Sequence, residues 1–132
     1  SSLSIKAHDV IKDYKKHLNL LNFSEAAQCI LSLSRDANIY LNEQAPWKLI
    51  KDDENDNEVK IIIFNVLESS RIIGILLMPI LPNLSQKILS QLSIEYNKVS
   101  WQSDLKWGLI RQGEVLPESR PVMIKLELND YL

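Results

Sequence analysis

Before Ser93, apolar residues recur at helical spacing through most of the chain. The first stretch, 5–21, carries Ile5, Val10, Ile11, Tyr14, Leu18 and Leu21 on a rough stripe. Lys6, Lys12, Lys15 and Lys16, with His8 and His17, make its other surfaces basic. Spacings of three and four are the mark of an amphipathic helix. Asn22-Phe23-Ser24 interrupts the pattern, and Ser24 or Asn22 has the short polar side chain that caps a helix start. A stronger stripe follows over 23–44, where Phe23, Ala26, Ala27, Ile30, Leu33, Ala37 and Leu41 share one face. Asn38 and Tyr40 lie on its two flanks. Pro46 should end this helix near Gln44 or Ala45, because proline pushes the preceding residue toward extended backbone.

Residues 51–57 are polar, acidic and without periodicity, which predicts a loop. From 58 to 79 the chain is apolar nearly all round, broken by Asn65, Glu68, Ser69 and Arg71. A helix of that kind belongs in the middle of a bundle. Its isoleucines suit a strand too, but the stretch is long and holds no turn signal. Pro79 closes it, and Pro82 opens a last helix over 82–92 with Leu84, Ile88, Leu89 and Leu92. Beyond it Trp101, Trp107, Gly108, Gly113, Pro117 and Pro121 mark an extended, irregular tail, 93–132, expected to wrap back over the bundle. Val122–Leu128 alternates loosely but has no partner strand. The fold class is therefore all-α: one helix bundle over 1–132 with an irregular C-terminal tail.

Composition narrows the picture. A chain of 132 residues is one domain, able to bury about two-thirds of its unfolded surface. Three glycines and five prolines disfavour a turn-rich all-β fold. The single Cys29 excludes an internal disulfide, and its apolar setting predicts a small core residue in an intracellular protein. The start of the chain lacks the apolar core of a signal peptide. The longest apolar stretch, 72–81, is far below the about 20 residues a membrane span needs. A formal net charge of −2 means that any nucleic acid must be held by local patches and base contacts, not by bulk positive charge.

No catalytic constellation is visible. Both histidines lie in the first helix, nine residues apart, too far for a metal pair at helical spacing. No glycine-rich phosphate loop occurs. Asp52 and Asp53 sit in a solvated loop, where nothing would adapt them for acid catalysis.

Pro46-Trp47 is the most informative local feature. An indole on a corner stiffened by proline, between Lys48 and Lys51 on one side and the helix end on the other, has what stacking on an unpaired base requires. A tryptophan plugging the core at a helix junction is the more frequent outcome of such a pattern. Local sequence leaves both open.

The ordered motifs go further. Asn38-x-Tyr40 followed by Asn42-Glu43-Gln44-Ala45-Pro46-Trp47 resembles the anticodon-binding helix of methionyl-tRNA synthetases. Met78-Pro79-Ile80-Leu81-Pro82 is similar to a turn near the end of that domain. Trp101, Lys106-Trp107-Gly108 and Pro121–Glu127 resemble the closing stretch of its bacterial and organellar members. The resemblance covers nearly the whole chain, in the family's order. It implies a C-terminal anticodon-binding bundle of a class I synthetase, with the methionine tRNA anticodon loop and the catalytic domain of the same enzyme as partners. Trp47 would stack on an anticodon base, Pro46 would hold the indole, Asn38 and Tyr40 would shape the helix face, and Lys48 and Lys51 would meet phosphates. The family's ATP signatures do not occur here, so no cofactor is expected in this piece; ATP and methionine would be substrates of the parent's catalytic domain. An asparagine and an arginine that the family supplies from a preceding helix have no match near Ser1–Lys6, so the anticodon site is expected to be only partly present. The implied location is the cytoplasm, or an organellar matrix. The alternatives are the related bundle of the leucine, isoleucine, valine or cysteine enzymes, and a helical protein-interaction module without RNA.

Overall fold

A computed structural model describes residues 2–110, and among these it is helical without a strand. The elements are α1 (Ser2–Asn19), α2 (Phe23–Gln44), α3 (Pro46–Leu49), α4 (Asp56–Leu76), α5 (Pro82–Gln91) and α6 (Trp101–Asp104). Two 3₁₀ turns, Asp53–Asn55 and Tyr96–Lys98, precede α4 and α6. The all-α expectation holds. The Gly113, Pro117 and Pro121 signals and the Val122–Leu128 alternation lie outside the described residues.

Helix bounds shift from those read in sequence. The first helix runs 2–19 instead of 5–21, because Leu21 takes a left-handed conformation, φ 60°, and ends the turn into α2. Its buried face is Leu3, Ala7, Val10, Ile11 and Tyr14; Ile5 and Leu21, assigned to the stripe, are 66% and 71% exposed. Asn22 stands at the N-cap of α2, yet its side chain makes no capping bond. Phe23 points outward, and Cys29 is half-buried against the core instead of inside it. The loop expected over 51–57 instead folds into a 3₁₀ turn running directly into α4 at Asp56.

Helix α4 is the axis of the bundle and is buried along nearly its whole length, from Val59 to Leu76. It packs against α1, α2, α3 and α5. Gly74 allows α5 to approach closely, since a Cβ there would lie 2.9 Å from Leu89 Cδ2. Ser85 Oγ in α5 donates to the Gly74 carbonyl at 2.5 Å, fixing the same crossing. Tyr14, fully buried in α1, donates its hydroxyl to the Leu76 carbonyl at 2.7 Å. That carbonyl is among the last of α4, which have no partner within the helix. Burial pushes the Tyr14 phenol up to about 12 from 10.0. No helix among the described residues is long and apolar enough to cross a membrane.

Candidate functional site

The Pro46-Trp47 corner is built by backbone. Helix α2 closes with the Ala45 amide donating to the Leu41 carbonyl at 2.9 Å, and Ala45 itself is left-handed, φ 45° and ψ 63°. Extended backbone was expected before Pro46; the left-handed turn replaces it because it caps α2 and redirects the chain within one residue. Pro46 then starts the single turn α3 at its first position, where the missing N–H costs nothing. The Lys48 amide donates to the Ala45 carbonyl and the Ile50 amide to the Pro46 carbonyl, at 2.9 and 3.0 Å. Leu49 offers its carbonyl to the Asp52 amide and to Asn55 Nδ2, both at 3.2 Å, tying α3 to the residue that precedes α4. The corner is held from both sides.

On this frame Pro46 is buried and Trp47 is 47% exposed. Trp47 is not a core plug. Lys48 and Lys51 are exposed beside it, as is Ile50, while Asn42, Glu43 and Gln44 are exposed along the end of α2. Asn38 is half-buried one to two turns earlier. Tyr40 has a different occupation: its hydroxyl accepts from Asn65 Nδ2 of α4 at 2.9 Å. Structure thus brings Pro46, Trp47, Lys48 and Lys51 onto one corner and assigns Tyr40 to the seam between α2 and α4.

Sequence reading passed over the charged pair inside α4. Glu68 and Arg71 are 0% and 4% exposed and bonded to each other, Arg71 Nε to Glu68 Oε1. Arg71 Nη1 donates to the Asp104 carbonyl at 2.6 Å and Nη2 to that of Lys106 at 2.5 Å. Glu68 Oε2 accepts from the amides of Gly108 and Ile110 at 2.6 and 3.2 Å. Buried ions are kept only where partners satisfy them, and here the partners are the backbone of the closing segment. Trp107 rests edge-on against Phe64, centroids 6.3 Å apart, and Trp101 tilts against Tyr14 at 6.0 Å. The described part of the tail, residues 93–110, therefore docks, as its tryptophans suggested. The signal available in sequence was a carboxylate and a guanidinium at i, i+3 in an otherwise apolar helix.

Nothing in the described residues offers a metal cage: no group of three or more His, Cys, Asp or Glu side chains could hold an ion there. The Cys29 thiol is pushed up by burial and then by the Asp13 carboxylate, with Lys6 opposing, which makes it a poorer nucleophile.

Comparison with known proteins bears on the family of the chain. A family profile described as "Anticodon binding domain of methionyl tRNA ligase" matches residues 1–127. The methionine–tRNA ligase of a Synechocystis species is 37% identical over 82% of this chain, and that of Caldanaerobacter subterraneus is 36% identical over 96%. The chloroplastic/mitochondrial methionine–tRNA ligase of Arabidopsis thaliana is 34% identical over 83%. These matches take in 22%, 20% and 18% of the three relatives, so the chain spans about a fifth of their length. No solved structure matches it. With a family profile aligned over almost all of its residues and full-length relatives aligned in the same region, the chain belongs to the family of methionyl-tRNA ligase anticodon-binding domains.

Proposed function

We propose that this domain reads the anticodon of a methionine tRNA for an enzyme whose separate catalytic domain, using ATP, joins methionine to that tRNA. The observation that carries the proposal is the half-exposed indole of Trp47 on a corner whose proline is buried beneath it. Tryptophan is highly buried on average, so an indole held in solvent by rigid backbone is suited to a ligand. A base stacked on it is worth about 1–3 kcal/mol. Lys48 and Lys51, both exposed, would meet the flanking phosphates, and the half-buried Asn38, earlier in α2, would meet a base edge. Tyr40 supports the face from below through Asn65. The place of work is a translating compartment, the cytoplasm or an organelle.

The test is binding of the chain to an RNA stem-loop carrying the methionine anticodon, compared with one in which a single anticodon base is changed. The wild-type chain should prefer the methionine stem-loop, and Trp47→Ala should lose about tenfold or more in affinity and most of the preference, following the stacking energy. Equal binding of both RNAs by the wild-type chain would refute it. In the longer enzyme, the same substitution should impair tRNA charging and leave methionine activation intact.

A further inference from the structure

A second groove, of about 430 Å³, lies between α1 and the segment latched onto α4. One wall carries His8, Lys12 and Lys15, successive on one face of α1; the other carries Lys106 and Trp107. Ile11 and Leu105 form the floor, and no carboxylate lines it. Charge on α1 is sorted by face: Asp9 and Asp13 border a different groove, toward α2, together with Lys6, His17 and Glu25. The neighbouring Asp104 carboxylate is turned to its own backbone, accepting from the Ser100 amide at 2.7 Å. For a chain of net charge −2, a carboxylate-free concavity edged by three lysines is a local reversal of sign.

The second wall is held in place. Arg71 and Glu68 fix the backbone of residues 104–110, including the Lys106 carbonyl and the amide after Trp107. The segment runs beside α4 at the level of Arg71 and Glu68, and the ring of Trp107 reaches Phe64. Tyr40 meets α4 at Asn65, and Leu49 is bonded by Asn55, so α3 and Trp47, which follow α2, lie toward the start of α4. On the α1 side Lys12 and Lys15 flank Tyr14, which bonds to Leu76 at the far end of α4, so the groove and the Trp47 corner are separate places along the bundle.

We propose that this groove binds the phosphate backbone of RNA, as a contact separate from the base-reading corner. Lys12 and Lys106 reach phosphates from opposite walls, Lys15 extends the track along α1, and Trp107 provides a flat apolar wall beside it. It rests on the proposal that the ligand is RNA, and adds an affinity element that carries no sequence information.

The experiment is the salt dependence of stem-loop binding by the full chain. Each lost phosphate contact lowers the slope of log K against log[salt] by about 0.7–0.9. Lys12→Gln/Lys106→Gln should lower it by about 1.5 and weaken both the methionine and the base-changed stem-loops equally. A control pair of exposed lysines on other elements, Lys60→Gln/Lys98→Gln, removes the same charge and should leave the slope nearly unchanged. Thermal melting of both variants should match the wild type, since all four side chains are exposed. An unchanged slope in the groove variant, or an equal fall in the control, overturns the proposal. Displacement of RNA by inorganic phosphate at constant ionic strength would assign the groove to free phosphate, which also overturns it. Trp47→Ala separates the two sites: it should abolish base preference without altering the slope. A chain with no base preference but a groove-dependent slope would sink the anticodon assignment and leave the groove standing.

Discussion

Asn65 Nδ2 donates to the Tyr40 hydroxyl at 2.9 Å, joining α2 to α4 across 25 positions of sequence. Asn65 is buried at 6% exposure, so its amide has little water to fall back on. The bond explains why an aromatic with a polar tip stands two residues after Asn38, and it locates Tyr40 in the support of the corner. Tyr40→Phe leaves the Asn65 amide short of a partner and should cost about 1–3 kcal/mol in urea unfolding. Asn65→Leu alone should cost a similar amount. The double variant should cost clearly less than the sum, because replacing both partners removes the unpaired group. Strict additivity would show that the bond contributes nothing.

Removing one side of the Glu68–Arg71 pair should be far worse than removing both. Glu68→Gln or Arg71→Met leaves a buried ion uncompensated, a loss of about 3–5 kcal/mol. The loss should begin locally. In hydrogen exchange, the Gly108 and Ile110 amides, which donate to Glu68, should lose protection before those in the middle of α4. Unchanged protection at both amides in Glu68→Gln would show that the carboxylate does not hold the segment.

Tyr14 makes the fold sensitive to alkali. Its phenol is pushed up to about 12 in the folded chain by desolvation, from 10.0. The neutral form is therefore the one that folding favours, and its contribution is fully present below pH about 10 and lost as pH rises through about 12. Stability should fall across that window, and Tyr14→Phe should flatten the fall. At neutral pH the same variant should be less stable by about 1 kcal/mol, because the Leu76 carbonyl loses its donor. Chemical denaturation at a series of pH values checks both.

Gly74→Ala sets helix propensity against packing. Alanine favours the helix by about 1 kcal/mol. The added Cβ, however, would lie 2.9 Å from Leu89 Cδ2 and 3.2 Å from Ile88 Cγ2, and both side chains are fully buried. Overpacking of a tight core costs about 1–3 kcal/mol, so the variant should be less stable than the wild type. A raised melting temperature would mean that α5 can move away without loss.

The sequence by itself determined the all-α class, the succession of its main helices and the breaks at Asn22, Pro46 and Pro82, since apolar periodicity and proline chemistry act over a few neighbouring residues. It also marked α4 as the central helix, because only a helix enclosed on most sides can be apolar nearly all round. Tertiary structure decided what those local rules cannot contain. Phe23 and Ile5 were assigned to buried stripes and stand exposed, because burial depends on where α1 and α2 cross and not on residue type. Local pattern made Trp47 a candidate plug, and the left-handed turn at Ala45 sets it outward with Pro46 underneath. Tyr40 could be read from sequence only as a flank of α2, and its bond to Asn65, 25 positions away, exists only once α4 packs beside it. Glu68 and Arg71 read only as interruptions of an apolar run. Their partners lie 33 to 42 positions further along, and a buried charge can be interpreted only once the groups that satisfy it are in place.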